Sequence, residues 1–169
     1  RPRADHLERY ARYGFGAVFS PGTDQPGIML DIQAAQAAGE VGGARLVFAA
    51  GMAPPGQGPN AQMLEAVEMV GEGIVRGVGT PEEARTAVRD AASIPVRFIK
   101  IWVDDRGGTQ TKMPPETFRA IVDEARRLGI RVVAHQQDSA DTRALVGAGV
   151  DGFLHGRLGP DLDDELAAA

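Results

Sequence analysis

A chain of 169 residues that is 43% hydrophobic and 24% charged has the make-up and length for one buried core. Its net charge of -5, with no lysine or arginine cluster, argues against nucleic acid or another polyanion as a partner. No apolar run reaches the roughly eighteen residues that would span a bilayer, and the lack of cysteine excludes disulfides and thiolate metal sites, leaving His, Asp, Glu or a modified Lys as candidate ligands.

In chain order, the first residues, "RPRADHLERYARYG", lack the apolar core of a signal peptide; His6 lies in an amphipathic pattern with Leu7 and Tyr10 and reads as a surface position. Three stretches then share one layout, a helical pattern closing on a glycine, an apolar residue and a short β-rich run: "RYGFGAVFSPG" (12–22), "RLGIRVVAHQQD" (127–138) and "GAGVDGFLHG" (147–156). Glycine there suits the left-handed position that ends a helix. "GGARLVFAAG" (42–51) follows the Ala-rich "DIQAAQAAGE" in the same manner, and "IPVRFIKIWVDD" (94–105) follows a helix that ends near Ala92. That helix opens on Thr80, Pro81 and Glu83, a capping box with proline in the first turn. In "PPETFRAIVDEARRLG", Phe118, Ile121, Val122, Ala125 and Leu128 share one helical face, with Pro114 or Pro115 as the start and Gly129 as the stop.

Five short strands alternating with helices predict an α/β fold with a parallel sheet. Two architectures compete, an open doubly wound sheet and a barrel whose strand ends face one pocket. No Gly-x-Gly-x-x-Gly or Walker-type loop opens a helix, which favours the barrel. A full barrel has eight strands and about 250 residues, so five strands imply an open sheet or a partial barrel.

The residues suited to chemistry fall at strand ends. His135 closes "RVVAH" and His155 closes "GFLH", one βα unit apart, where parallel barrels build their sites. Alternation places Val133 with His135, and predicts Phe153 with His155 on the corresponding face of the next strand. Lys100, sharing its side with Phe98 and Trp102, sits in the middle of "FIKIWVDD". Its amine either snorkels to water or lies inside, where a charge is costly unless paired or neutralised. Burial favours the neutral amine, which can add CO2 to become a carbamate, an anionic oxygen donor able to bridge two cations.

The run "FIKIWVDDRGGTQTKMPPETFRAIVDEARRLGIRVVAHQQDSADTRALVGAGVDGFLHG" resembles the amidohydrolase superfamily, in its imidazolonepropionase-like and prolidase-like branch. The likeness extends over almost the whole chain, with "LERYARYGFGAVFSPGTD" similar to the family's first helix and second strand and "GVDGFLHG" to its sixth. It implies a (β/α)8 TIM-type barrel, of which residues 1–169 cover about strands two to six as one catalytic-barrel segment incomplete at both ends. It further implies hydrolysis of an amide, peptide or lactam bond by water activated on one or two divalent ions, with zinc expected from the imidazole and anionic oxygen donors. By the resemblance Lys100 matches the family's carboxylated lysine, and His135 and His155 match its strand-five and strand-six metal ligands. The family's first-strand His-x-His has no match in the sequence, and its general base, a strand-eight aspartate, is expected beyond Ala169.

Trp102 and Gln136 are candidate substrate contacts; for Gln136 a hydrogen bond within the rim is the plainer alternative. In the loop "DDRGGTQTKMPP" (104–115), Asp104, Asp105 and Arg106 stand at the rim, with a solvated loop as the default for each. "GMAPPGQGPN" (51–60) reads as a rim loop or lid, and "DLDDELAAA" as a helix start with an acidic first turn. Two other functions fit the same residues, a Schiff-base lyase using Lys100 as the nucleophilic amine, and a catalytically inactive partial barrel that binds a ligand or self-associates through open sheet edges.

Overall fold

A computed structural model describes residues 2–59 and 74–154, together with Asp164 and Ala168. His155 and most of the acidic tail "DLDDELAAA" lie outside the described residues. The described strands are β1 (Ala17–Ser20), β2 (Arg45–Ala53), β3 (Val75–Gly77), β4 (Phe98–Trp102), β5 (Arg131–His135) and β6 (Gly152–Phe153). The helices are α1 (Pro2–Arg12), α2 (Pro26–Ala37), α3 (Pro81–Ala92), α4 (Pro115–Arg127) and α5 (Ser139–Ala148).

All strand pairs are parallel, in the order β1-β2-β4-β5-β6, with β3 beside β2. Strand β2 is long enough to take two partners along one edge: β1 pairs with its start, Ala17 opposite Arg45, and β3 with its end, Gly51 opposite Val75. On its other edge Gly51 faces Lys100 of β4. Strand β3 has no counterpart among the five strands expected from the sequence.

The sheet's two faces differ in chemistry. Leu46, Phe48, Met52, Ile99, Ile101, Val132 and Ala134 point towards the helices and form the apolar core. Helix α4 adds Phe118, Ile121, Val122 and Ala125, all buried, which is why a sequence with many charges holds a stable helix: its apolar stripe has a sheet to cover. Leu128, assigned to that stripe by spacing, is instead 44% exposed, because it is the C-cap residue where the chain turns away ahead of Gly129. Gly129 itself has φ 72°, and Gly14 and Gly149, which play the same part after α1 and α5, have φ 88° and 81°.

Helix α3 begins with the capping box: Glu83 N donates to Thr80 Oγ1 at 3.2 Å and Thr80 N donates to Glu83 Oε2 at 3.1 Å. Its Arg89 reaches across to α4, where Glu124 Oε1 accepts from Arg89 Nε at 2.7 Å and Glu124 Oε2 from Arg127 at 2.7 Å. Helix α2 is tied to the sheet by Gln36, whose side-chain amide donates to Ala44 O at 2.9 Å and accepts from Leu46 N at 3.0 Å, replacing strand partners at the start of β2.

Candidate functional site

The face of the sheet opposite the helices carries the polar side chains. Register pairs Lys100 with Val133 and Trp102 with His135, so Lys100, Trp102 and His135 project from one side of β4 and β5. Strand spacing and rise put the Lys100 and His135 Cα atoms roughly 8 Å apart on that face. Phe153 does not join them. It pairs with Ala134 and packs on the helix-side core, so the expectation that Phe153 and His135 share a face is corrected by one residue of register.

Lys100 is 1% exposed, and among the described residues its Nζ has no hydrogen-bond partner. The Trp102 ring lies beside it, with its centroid 5.1 Å from Nζ. Burial lowers the Lys100 pKa, the positive Arg106 lowers it further and the negative Asp104 partly opposes them, leaving it at about 7. Much of the amine is therefore neutral near neutrality.

Two glycines enclose this lysine. The loop after β1 crosses over β2, and a Cβ on Gly22 would lie 3.0 Å from both the Gly51 Cα and the Lys100 Cβ. A side chain on Gly51 would meet the Gly22 carbonyl and, at 3.2 Å, Trp102 Cζ3. Neither glycine carries a mark in the sequence that points to this approach. In the same loop Ser20 Oγ donates to Asp24 Oδ2.

At the ends of β4 and β5, His135 Nε2 lies 2.9 Å from Asp104 Oδ1, with His135 and Asp104 each 6% exposed. The second Asp104 oxygen accepts from the Arg106 backbone N–H at 3.3 Å and lies 3.6 Å from Arg106 Nε. Asp104 is thus no solvated loop residue, and the expectation for it is corrected. A readable signal existed: Lys100, Trp102 and Asp104 continue one alternation past the strand end. Asp105 and Arg106 are half-buried, and the Asp105 side chain accepts from Gly107 N at 3.0 Å. Gln136 is 1% exposed, and among the described residues its Oε1 has no hydrogen-bond partner, but it follows the end of β5, where the pairing assigns it no face.

The rim is braced around these residues. Lys112, from the loop after β4, lies 2.8 Å from Asp141 and 3.3 Å from Asp138 at the start of α5. Gln110 in the same loop donates to Pro59 O at 3.4 Å, tying it to the Pro/Gly-rich loop after β2. Among the described residues, no three His, Asp or Glu side chains by themselves make a ready cation site. A carbamate on Lys100 would add oxygen donors beside His135, and the partnerless buried amine is a place where such a group fits.

A parallel α/β sheet with its polar groups gathered at the carboxyl ends of neighbouring strands is a partial TIM-type barrel with a candidate site at the expected end. Solved prolidase, amidohydrolase and ochratoxinase structures match the chain over most of its length. A candidate prolidase from Bifidobacterium longum is 30% identical, with 92% of this chain and 35% of that one covered and a TM-score of 0.68. A Xaa-Pro dipeptidase with methionine bound in its active site is 22% identical over 99% of this chain and 42% of its own, with a TM-score of 0.71. For A. niger ochratoxinase the identity is 19%, the coverage 96% and 41%, and the TM-score 0.74. The chain therefore spans about two fifths or less of the length of these structures. No protein-family model and no curated protein matches it.

Proposed function

We propose that the protein belongs to a metal-dependent hydrolase that cleaves an amide, peptide or lactam bond in a small molecule or short peptide. The observation that carries this reading is the buried Lys100 amine, without a hydrogen-bond partner among the described residues and with its pKa lowered to about 7, on the same face as His135. Its lone pair is available to attack CO2: the N–C bond forms, one C=O π pair moves to oxygen and the amine gives up a proton, leaving an anionic carbamate. Carbamylated Lys100 and His135 are the proposed ligands for one or two divalent ions, joined by His155 on the resemblance alone since its alternation with Phe153 no longer supports it, zinc being suited to imidazole and anionic oxygen. A cation bound there would supply polarisation of the scissile carbonyl and acidification of a water molecule.

The chain's own residues hold the site in order. Trp102 lies against the amine, and Gly22 and Gly51 let the loop after β1 pass close to the base of the Lys100 side chain. Gln136 is proposed to hydrogen-bond substrate at the rim.

Metal analysis tests the reading: the protein expressed with zinc or cobalt should hold at least one divalent ion per chain, Lys100→Ala should lose it, and labelled bicarbonate should give a carbamate carbon signal absent from that variant. A protein with no stoichiometric ion and no such signal would sink it. The lowered Lys100 pKa also favours a second reading, a Schiff-base lyase. Borohydride trapping of a carbonyl substrate on Lys100, with activity indifferent to chelators, would select that alternative.

A further inference from the structure

We infer that Asp104 is a further ligand for the divalent cation, binding it through Oδ1 beside His135. The inference rests on the reading of Lys100 and His135 as ligands and adds a donor that the resemblance does not supply.

The two oxygens of this buried carboxylate are placed differently. Oδ2 accepts from the Arg106 backbone N–H at 3.3 Å and lies 3.6 Å from Arg106 Nε. Oδ1 accepts no hydrogen bond among the described residues, although His135 Nε2 is only 2.9 Å away. That approach is therefore not a hydrogen bond. Two donors that each bond one zinc ion at about 2.0–2.2 Å stand roughly 3 Å apart, which is the separation found here. An anionic oxygen buried without a partner is costly, and a cation shared with the imidazole would satisfy it. The hydrogen bond to Oδ2 is then the outer contact that keeps a ligating carboxylate in orientation.

The charges match as well. A carbamate on Lys100 and the Asp104 carboxylate carry one negative charge each and a ligating imidazole none, so the three together balance a divalent ion. Asp104 and His135 are too few by themselves, in keeping with the lack of any group of three His, Asp or Glu among the described residues, and the third donor is made on Lys100. The backbone serves the same arrangement. Arg106 has φ 54°, a left-handed conformation uncommon for a residue with a side chain, and Gly107 and Gly108 follow at 71° and 83°. Holding Arg106 there turns its N–H to Oδ2 and leaves Oδ1 beside the imidazole, which gives the strain a purpose. Thr109 Oγ1 donates to Arg106 O at 3.0 Å, and Met113 N donates to Val103 O at 3.1 Å, closing the loop at its base.

Cobalt(II) tests the donor set, because its absorption spectrum depends on its ligands. In the full chain, Asp104→Ala should weaken cobalt binding about 100-fold or more in competition with a chromophoric chelator, the upper end of what losing an outer contact costs. Asp104→Asn, nearly isosteric but uncharged, should also bind more weakly, and it serves as the variant if alanine prevents folding. Asp104→Cys puts a thiolate at the same position. The chain has no other cysteine, so a cobalt–thiolate charge-transfer band in the near ultraviolet can come only from residue 104. That band is expected, and a carboxylate that merely orients His135 would not give rise to it. Native-like cobalt affinity in the alanine and asparagine variants, or cobalt bound by Asp104→Cys without the band, would overturn the inference and leave the hydrolase reading standing. A native protein that binds no cobalt would overturn both.

Discussion

Gly22 and Lys100 meet where the loop after β1 crosses the sheet: a Cβ on residue 22 would stand 3.0 Å from the Lys100 Cβ. At φ +85° an alanine would also be forced into a left-handed conformation. Gly14, at φ +88°, has nothing within 4 Å of its hypothetical Cβ and isolates the backbone part of the cost. Gly14→Ala should therefore lose about 1–2 kcal/mol. Gly22→Ala should lose more, about 2–4 kcal/mol, since overpacking adds its own penalty. Urea unfolding of the two variants measures the difference, and equal losses would show that the loop does not press on Lys100.

Loosening that loop should also show at the amine. In the Gly22→Ala protein Lys100 is expected to react faster than in the native protein with an amine-directed acylating reagent, since the loop that shields it is displaced. Mass mapping of peptides carrying residue 100 reads the rate, and an unchanged rate in a variant that is destabilised would place the shielding elsewhere.

How much of this was readable in the residues depends on how local the determinant is. The capping box at Thr80, the glycine stops and the strand end at His135 are set by neighbours in sequence, and the structure has all of them. Strand β3, only three residues long, has too few positions to display alternation. The Phe153 error is of another kind: which residue of β6 lies beside His135 is fixed by register, a relation between two strands that neither sequence contains alone. Asp104 was misjudged because acidic residues before glycines look like a solvated turn, whereas its burial comes from His135 and Arg106 closing on it. Gly22 and Gly51 matter through an approach between distant segments and carry no local mark.

Helix α4 provides a contrast between two residues placed on one stripe by spacing. Ile121 is fully buried, whereas Leu128 is exposed at the C-cap. Ile121→Ala should cost about 2–5 kcal/mol by transfer and cavity terms together. Leu128→Ala should stay within about 0.5 kcal/mol, as surface changes do. Denaturant midpoints of the pair decide, and similar losses would contradict the helix's orientation.

At the start of α3, Thr80→Ala removes the acceptor for Glu83 N and leaves that first-turn donor to water. The expected loss is about 1 kcal/mol, within the usual range for such caps. Thr80→Ser keeps the oxygen and should restore most of it. A serine variant as weak as alanine would assign the effect to the threonine methyl group.

The cost of enclosing Lys100 is expected to depend on pH in a direction fixed by its titration. The group is lowered from 10.5 to about 7 in the folded protein, chiefly by burial. Below about pH 7 the folded and unfolded chains both carry the proton, and the penalty for a buried charge is fully present. Between about 7 and 10.5 the unfolded chain binds more protons than the folded one, so stability rises with pH. Above that window both forms are neutral and the penalty is gone. A shift of this size corresponds to a few kcal/mol, on the order of 5. Lys100→Met removes the titrating group while keeping an unbranched side chain, so in CO2-free buffer it should be more stable than the native protein near neutrality, with the advantage shrinking as pH rises. Subtracting the two unfolding profiles cancels other groups, including Lys112, whose pKa is raised by its hydrogen bond to Asp141. Profiles that run parallel from neutral to alkaline pH would mean that the amine reaches water, and the partnerless lysine on which the site is built would be lost with it.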